Sequence, residues 1–179
     1  MDERLQIIFS RRSIRKYTDQ PVSEADITSL LQAGMAAPSA ANKKPWHLVV
    51  VTDKRTLGAI AAAPPYSRTL GDAALAIVVC GDPSISDWWL QDCSAATENV
   101  LIAAAGLGLG AVWLGCHARA EREQPIRQVL GIPRRSGWRA CCPSAILPRK
   151  RNHVPSTIRP GSTATSGRYS PKSKTEINA

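Results

Sequence analysis

The spacing of hydrophobic and polar residues follows two distinct periods along most of this 179-residue chain. Segments in which apolar residues recur every three or four positions are typical of helices packed on a core. They are residues 4–10, 23–37, 53–63 and 87–110, followed by a fifth helix that ends at 126–130. Short uninterrupted apolar runs are typical of buried strands, and they occupy 46–51, 75–81 and 111–115. Alternating helices and strands predict one layered domain of the α/β or α+β class.

The periodic pattern stops after Pro133, and the composition changes at the same place. Residues 134–179 contain 19 serine, threonine, proline or glycine residues among 46, and 10 lysines or arginines against one acid, Glu176. Residues 1–133 hold 13 basic and 13 acidic side chains, so the whole net charge of +9 belongs to the tail. We therefore predict a neutral globular domain at 1–133 and a basic, Ser/Pro/Thr-rich, disordered tail at 134–179.

Spacing excludes several classes of site. Five cysteines without a C-x-x-C pair predict neither a disulfide framework nor a zinc site, and the three histidines lack metal-ligand spacing, so no metal is expected. The glycines of GLGLGA (106–111) end a predicted helix and precede a strand, which is the reverse of a Rossmann unit. No signal peptide or membrane-spanning stretch is recognised, and we expect a soluble cytoplasmic protein. If the chain is an enzyme, we expect a cofactor to carry the chemistry.

Two segments carry candidate chemistry. The first, RRSIRKY at 11–17, places three arginines, a lysine and a serine within six residues, a set that can hold a phosphate through guanidinium and hydroxyl donors. The second, AAPSAANKKPW at 36–46, uses alanine and serine where loops usually use glycine and aspartate, so that backbone can approach a ligand closely. Taken alone, each segment also fits a plain structural interpretation: a solvated basic turn and an ordinary helix-to-strand connection.

Together these motifs resemble the nitroreductase family of flavin-dependent NAD(P)H oxidoreductases. The resemblance rests on RRSIRKY and APSAANKKPW, then ALAIVVCGD, WWLQDCSAATENVLIAAAGLGLGAVWLG and VLGIP, which follow in order up to residue 133. One position departs from the family pattern: the glutamine that commonly precedes Pro-Trp is Lys44 here.

The resemblance implies an α+β subunit with a central, mainly antiparallel sheet flanked by helices, and an intertwined homodimer with FMN at its interface. By that similarity, one subunit would hold FMN phosphate and ring edge through Arg11, Arg12, Ser13 and Arg15. The partner subunit would line the flavin through Pro38, Ser39, Ala40 and Asn42. Leu114 and Gly115 would pass their backbone close to the flavin ring, whereas Trp46 would pack into the core.

The same resemblance implies the reaction. NADH or NADPH would donate a hydride to FMN, and a small electron-poor acceptor such as a nitroaromatic or a quinone would receive it in a ping-pong cycle. No catalytic side chain is assigned, because the flavin carries the chemistry. The expected partners are a second copy of the chain and the small acceptor, with neither a membrane nor a nucleic acid. Two alternatives stay open: a flavin-binding or inert remnant without turnover, and a basic-tailed nucleic-acid-binding protein.

The tail is where the resemblance ends. Family members continue beyond GIP with an apolar strand and a segment that wraps the partner subunit, and residues 134–179 resemble neither. Three explanations are considered: a frameshift near codons 133–135, a divergent natural tail, and a basic arm for a nucleic acid or a membrane surface. A frameshift would impair activity, because it would remove one strand and expose an edge of the sheet.

Overall fold

The computed structural model describes residues 2–18, 20–62 and 68–132, together with the backbone of 139–148. Its centre is a four-stranded sheet in the order β1-β2-β4-β3, in which every neighbouring pair of strands is antiparallel. The strands are β1 (Trp46–Val51), β2 (Leu75–Gly81), β3 (Leu109–Trp113) and β4 (Arg139–Pro148). This arrangement confirms the predicted mainly antiparallel α+β sheet.

Five α-helices flank the sheet in the described part of the chain: α1 (Gln6–Ser10), α2 (Glu24–Met35), α3 (Lys54–Ala61), α4 (Trp89–Gly106) and α5 (Ala120–Val129). Helix α2 begins where Ser23 accepts a hydrogen bond from the Asp26 amide, and α3 begins where Asp53 accepts one from the Thr56 amide. Short 3-10 turns precede α1 (Glu3–Leu5), lead towards β1 (Ala40–Asn42) and precede β2 (Arg68–Leu70). None of the helices described here has the length and apolar character needed to cross a membrane.

Strand β2 forms the centre of the core, and all seven of its residues are buried. Its residues alternate between the two faces of the sheet, as side chains of a strand must. On one face, Leu75 and Ile77 pack with residues of α2 and α4, including Leu30 and Val100. On the other face, Ala76, Val78 and Cys80 pack with Leu57 and Ile60 of α3 and Ile126 of α5. The uninterrupted apolar run at 75–81 thus corresponds to a strand covered by helices on both faces.

The turn between α4 and β3 lies earlier than the apolar pattern predicts. Helix α4 ends at Gly106 and β3 spans Leu109–Trp113, whereas the pattern extends the helix to 110 and places the strand at 111–115. Gly108 takes a left-handed backbone conformation with φ of 74°, which closes the helix and reverses the chain. Leu114 and Gly115 therefore lie beyond the strand, where their backbone is not part of the sheet ladder.

Strand β4 is absent from the sequence-based prediction, which assigns all of 134–179 to a disordered tail. The structure places Arg139–Pro148 between β2 and β3, so the sheet continues past residue 133 and the prediction is wrong for this stretch. Pro143 lies opposite Val78 in the register, and proline lacks the amide that a central strand normally donates. That is why the sequence pattern does not identify a strand there. Residues 149–179 lie outside the described residues, and their disorder stays a prediction.

Candidate functional site

The arginine-rich segment at 11–15 lies along the free edge of β3. Ser13 forms an isolated parallel bridge with Ala111, and the Ile14 amide donates to the Ala111 carbonyl at 2.9 Å. The Tyr17 hydroxyl donates to the Ile14 carbonyl at 2.9 Å, and burial raises the pKa of this phenol to about 12. The backbone of the segment is thus attached to the sheet at Ala111, and the Tyr17 hydroxyl fixes the neighbouring Ile14 carbonyl.

The side chains of this segment carry its positive charge towards solvent. Arg12, Ser13 and Arg15 are exposed, and Arg11 is half-buried. The Arg11 Nε lies 3.0 Å from Glu98 Oε1 of α4, while Arg12 donates from Nη1 to the carbonyls of Phe9 and Arg11, both at 2.7 Å. Guanidinium and hydroxyl donors exposed together suit an anion such as a phosphate.

An open cleft lies beside this segment. It is lined by Ser10, Arg11, Arg12, Ile14, Leu101, Ala105, Gly108, Leu109 and Ala111. Arginine and serine side chains form one part of its wall, and aliphatic side chains of α4 and β3 form another. A ligand that joins an anionic group to an apolar body would fit this combination of donors and apolar surface.

The small-residue loop between α2 and β1 has an unusual backbone. Ala41, Asn42 and Lys44 all take left-handed conformations, with φ of 49°, 56° and 48°. Asparagine tolerates this region, but for alanine and lysine it costs roughly 1–2 kcal/mol per residue. Within the loop, the Lys44 amide donates to the Ser39 hydroxyl oxygen at 3.0 Å. The Asn42 and Lys43 amides also donate within the loop, to the carbonyls of Ser39 and Ala40, and further support comes from outside it.

That support comes from the first turn of α4 and from the core behind the loop. The Ala40 amide donates to Asp92 Oδ1 at 2.9 Å, and the Asp92 side chain is buried. Behind the loop, Trp46 is 4% exposed and packs with Ala37 and Ala96, which confirms its predicted place in the core. Ala37, a small residue, is itself buried in this cluster.

Leu114 and Gly115 follow β3 directly. Leu114 is buried in the core, whereas Gly115 is exposed and a Cβ atom there would meet nothing within 4 Å. The Gly115 carbonyl accepts a hydrogen bond of 3.0 Å from Arg122 Nη1 of α5. The space next to the Gly115 Cα atom is thus free, while the Gly115 carbonyl is fixed by Arg122.

The two predicted binding segments lie on different sides of one subunit. Segment 11–15 accompanies β3, at one edge of the sheet, whereas the loop at 38–42 leads into β1 at the opposite edge. Three strand spacings separate those edges, or about 14 Å. The structure therefore brings Arg11–Arg15 near the strand that leads to Leu114, but it does not bring them together with Pro38, Ser39, Ala40 and Asn42 within one chain.

Three contributors to the site do not appear in the predictions: Asp92, Glu98 and Arg122. A signal for Asp92 is present in the sequence. It lies four residues before Ala96 and one before Cys93, on the apolar stripe of the predicted helix, where a carboxylate is out of place unless it has buried partners. No comparable signal identifies Glu98 or Arg122, whose contacts depend on the tertiary arrangement.

Known proteins resemble this chain over most of its length. A profile of the nitroreductase family matches residues 8–64 and 59–144, so the match extends past residue 133 into β4. A protein of Archaeoglobus fulgidus, provisionally named NADH dehydrogenase/NAD(P)H nitroreductase, is 50% identical over 137 residues, which cover 74% of this chain and 79% of that protein.

Solved structures share the fold. A crystal structure from Bacteroides thetaiotaomicron with the same provisional name has a TM-score of 0.80 at 38% identity, covering 84% of this chain and 89% of the other. A provisionally named nitroreductase from Desulfovibrio desulfuricans, crystallised with FMN, has a TM-score of 0.73 at 30% identity, covering 84% and 88%. These matches confirm the family and the fold class predicted from the motifs. The chain belongs to the nitroreductase family.

Proposed function

We propose that this protein carries hydride from NADH or NADPH through FMN to a small electron-poor acceptor, such as a nitroaromatic or a quinone, in a ping-pong cycle. As a member of the nitroreductase family it is an NAD(P)H-dependent flavin oxidoreductase. The acceptor and the order of binding are the parts that this proposal adds. The structural observation that carries it is the exposed cationic segment at 11–15 beside a cleft with an apolar wall.

The cationic segment would bind the FMN phosphate. Arg11, Arg12, Ser13 and Arg15 offer charged and neutral donors whose backbone is attached to β3, so they would orient the phosphate as well as attract it. FMN, when bound, would supply the hydride chemistry. No side chain of this segment is assigned a proton transfer, and its role is binding and orientation.

The flavin ring would lie between two copies of the chain. The loop that contains Pro38, Ser39, Ala40 and Asn42 lies at the opposite sheet edge from the arginine-rich segment at 11–15. The proposed site therefore needs these four residues from a partner subunit. Leu114 and Gly115 would present backbone to the ring from the same subunit as the phosphate segment. Exposed apolar residues next to that segment support burial by a second copy: Leu5 is 47%, Ile8 51% and Phe9 45% exposed.

The proposal is tested with the purified full chain. We expect the protein incubated with FMN to keep stoichiometric yellow flavin after desalting, and to oxidise NADH or NADPH when menadione or a nitroarene is added. Retained flavin without turnover would instead support a flavin-binding remnant. A colourless protein that cannot be loaded would overturn the proposal.

The basic tail supports a second candidate function, nucleic-acid binding, because all of the excess charge lies in it. Strand β4 belongs to the sheet, so the informative deletion starts after Pro148 and leaves the sheet complete. Salt-sensitive binding of DNA or RNA that disappears on deleting 149–179 would support this function.

Sequencing the genomic locus tests the frameshift explanation. Family members continue with a strand followed by a Gly-Tyr-Pro turn, so an uninterrupted frame whose other reading frames encode no such ending would show that the frameshift explanation is wrong.

A further inference from the structure

We propose that Asp92 is a positioning residue that holds the loop at 39–44 in its ligand-binding conformation, and that Ser86 fixes the orientation of its carboxylate. This inference rests on the proposed function, because the loop is assigned to the flavin site. It concerns a residue that does not itself line the cleft and that would act through the backbone of Ala40.

The burial of Asp92 calls for an explanation. Its side chain is 6% exposed, and removing a carboxylate from water is costly unless hydrogen bonds replace the lost hydration. Among the residues that the structure describes, no ion pair involves Asp92. Its oxygens accept instead from the Ala40 amide at 2.9 Å and from the Ser86 hydroxyl at 3.0 Å. The buried carboxyl group therefore links the start of α4 to the loop through the Ala40 amide.

The hydroxyl of Ser86 is itself oriented. It accepts a hydrogen bond from the Trp88 amide at 3.1 Å, which leaves its proton to point at Asp92 Oδ2. With Oδ2 held in this way, Oδ1 faces the Ala40 amide. A chain of three hydrogen bonds therefore runs from the start of α4 to a loop 52 residues earlier in the sequence.

The contact falls where the loop departs from ordinary backbone geometry. Ala40 is the residue before Ala41 and Asn42, the first two left-handed positions, and the third is Lys44 just before Pro45. Alanine and lysine normally avoid that region, and a residue before proline favours extended backbone. Without the carboxylate, the loop would relax towards ordinary conformations, and the backbone proposed to face the flavin would be displaced.

The experiment compares three substitutions of the hydrogen-bonded chain in the full-length protein. Asp92→Ala removes both acceptors, Ser86→Ala removes the orienting hydroxyl, and Asp92→Asn keeps an acceptor for Ala40 and a group that can pair with Ser86. Two readouts are used: hydrogen exchange of the Ala40 amide before FMN is added, and the FMN dissociation constant from flavin fluorescence. Thr97→Val serves as the matched control, because Thr97 is a fully buried residue of the same helix whose hydroxyl bonds within α4.

We expect Asp92→Ala to weaken FMN binding by roughly tenfold to a hundredfold and to speed exchange of the Ala40 amide by a similar factor. Ser86→Ala should have a smaller effect of the same kind. Asp92→Asn should keep the FMN dissociation constant and the exchange rate of the Ala40 amide within about threefold of wild type. Thr97→Val should lower the melting temperature without changing FMN affinity.

Two results would overturn the inference. One is a folded Asp92→Ala variant that binds FMN within threefold of wild type, and the other is an Asp92→Asn variant as impaired as Asp92→Ala. Failure of the wild-type protein to bind FMN would overturn the proposed function instead. The exchange rate of the Ala40 amide would then still show whether Asp92 holds the loop, so the two failures are distinguishable.

Discussion

The two halves of the proposed site are held in different ways. The arginine-rich segment at 11–15 is attached to the edge of β3 by its backbone, and most of its charged side chains are exposed. The loop at 38–44 is held from behind by the buried Asp92 and by the cluster around Trp46. The first half presents exposed positive charge, whereas the second half presents backbone in strained, left-handed conformations.

This difference predicts different physical dependences. Contacts between exposed charges and an anion weaken as salt increases, because counterions screen them over roughly 8–10 Å at physiological ionic strength. A buried hydrogen bond between a carboxylate and an amide is screened much less. The contributions of the two halves to FMN binding can therefore be distinguished by their dependence on salt.

The largest expected effect comes from the charged half. The double substitution Arg12→Ala/Arg15→Ala should weaken FMN binding by at least about a hundredfold at low salt, because each lost charged hydrogen bond to the phosphate costs roughly 1.5–3 kcal/mol. Titrations of flavin fluorescence at low and high salt would measure it. The difference from wild type should shrink at high salt, whereas the effect of Asp92→Ala should not.

Arg55→Ala on α3 is the control for this experiment, because it removes an exposed charge of the same kind away from both halves. Equal losses for Arg55→Ala and for the double variant would contradict the assignment of the segment.

A smaller effect is expected from the packing behind the loop. A Cβ atom added at Gly81 would clash with the Trp89 ring and lie 2.8 Å from Cys93 Sγ, both in the first turns of α4 beside Asp92. Gly81→Ala should therefore destabilise the fold by about 1–3 kcal/mol and also weaken FMN binding, since the start of α4 must shift.

Gly58→Ala provides the opposite case, because a Cβ there meets nothing within 4 Å. This substitution in α3 should stabilise the protein by roughly 0.5–1 kcal/mol and leave FMN binding unchanged. Urea unfolding and flavin titration would measure both variants. If Gly81→Ala destabilises the fold but leaves FMN affinity unchanged, the packing of α4 does not control the loop and this prediction is wrong.

The smallest effect concerns the anchor of the charged segment. Tyr17→Phe removes the hydrogen bond to the Ile14 carbonyl and should cost about 0.5–1.5 kcal/mol at neutral pH. Burial raises the pKa of Tyr17 from its ordinary 10 to about 12, so the fold favours the protonated phenol. The stability due to this shift is complete below pH 10 and is lost as the pH rises towards 12.

The phenylalanine variant should lose that part of the alkaline decline. A remaining decline is expected from Cys80, because burial raises the pKa of its thiol to about 11 and its contribution is lost between about pH 9 and 11. Thermal melts between pH 7 and pH 12 would measure both variants. Identical alkaline profiles for wild type and Tyr17→Phe would contradict the role of this phenol.

Most of the fold could be predicted from periodicity, with bounds correct to within a few residues. Strands β1 and β2 match their apolar runs residue for residue, because each run is bounded on both sides by charged or turn residues. Strand β4 could not be predicted, because its prolines and mixed composition do not form a strand alone, and its pairing depends on β2 and β3 being present on either side.

The candidate site divides along the same line. Its motifs are local in sequence, so RRSIRKY and PSAAN could be identified and assigned to a family whose membership the comparisons confirm. Their individual contacts with FMN stay predictions. Asp92 and Arg122 act on residues that are distant in the sequence or that lie in another element, and no local pattern specifies which backbone group each one meets.

The sequence alone determined the class of the fold, the family, and the residue types that can bind a phosphate and approach a flat ligand. The fold class follows from local periodicity and the residue types from side chains within a few positions of one another, whereas the family follows from the resemblance of the ordered motifs. Only the tertiary structure decided that β4 completes the sheet, that the two proposed binding segments lie at opposite edges, and that the buried carboxyl group of Asp92 accepts a hydrogen bond from the strained loop. These depend on contacts between distant parts of the chain, whose geometry is set only when the core packs.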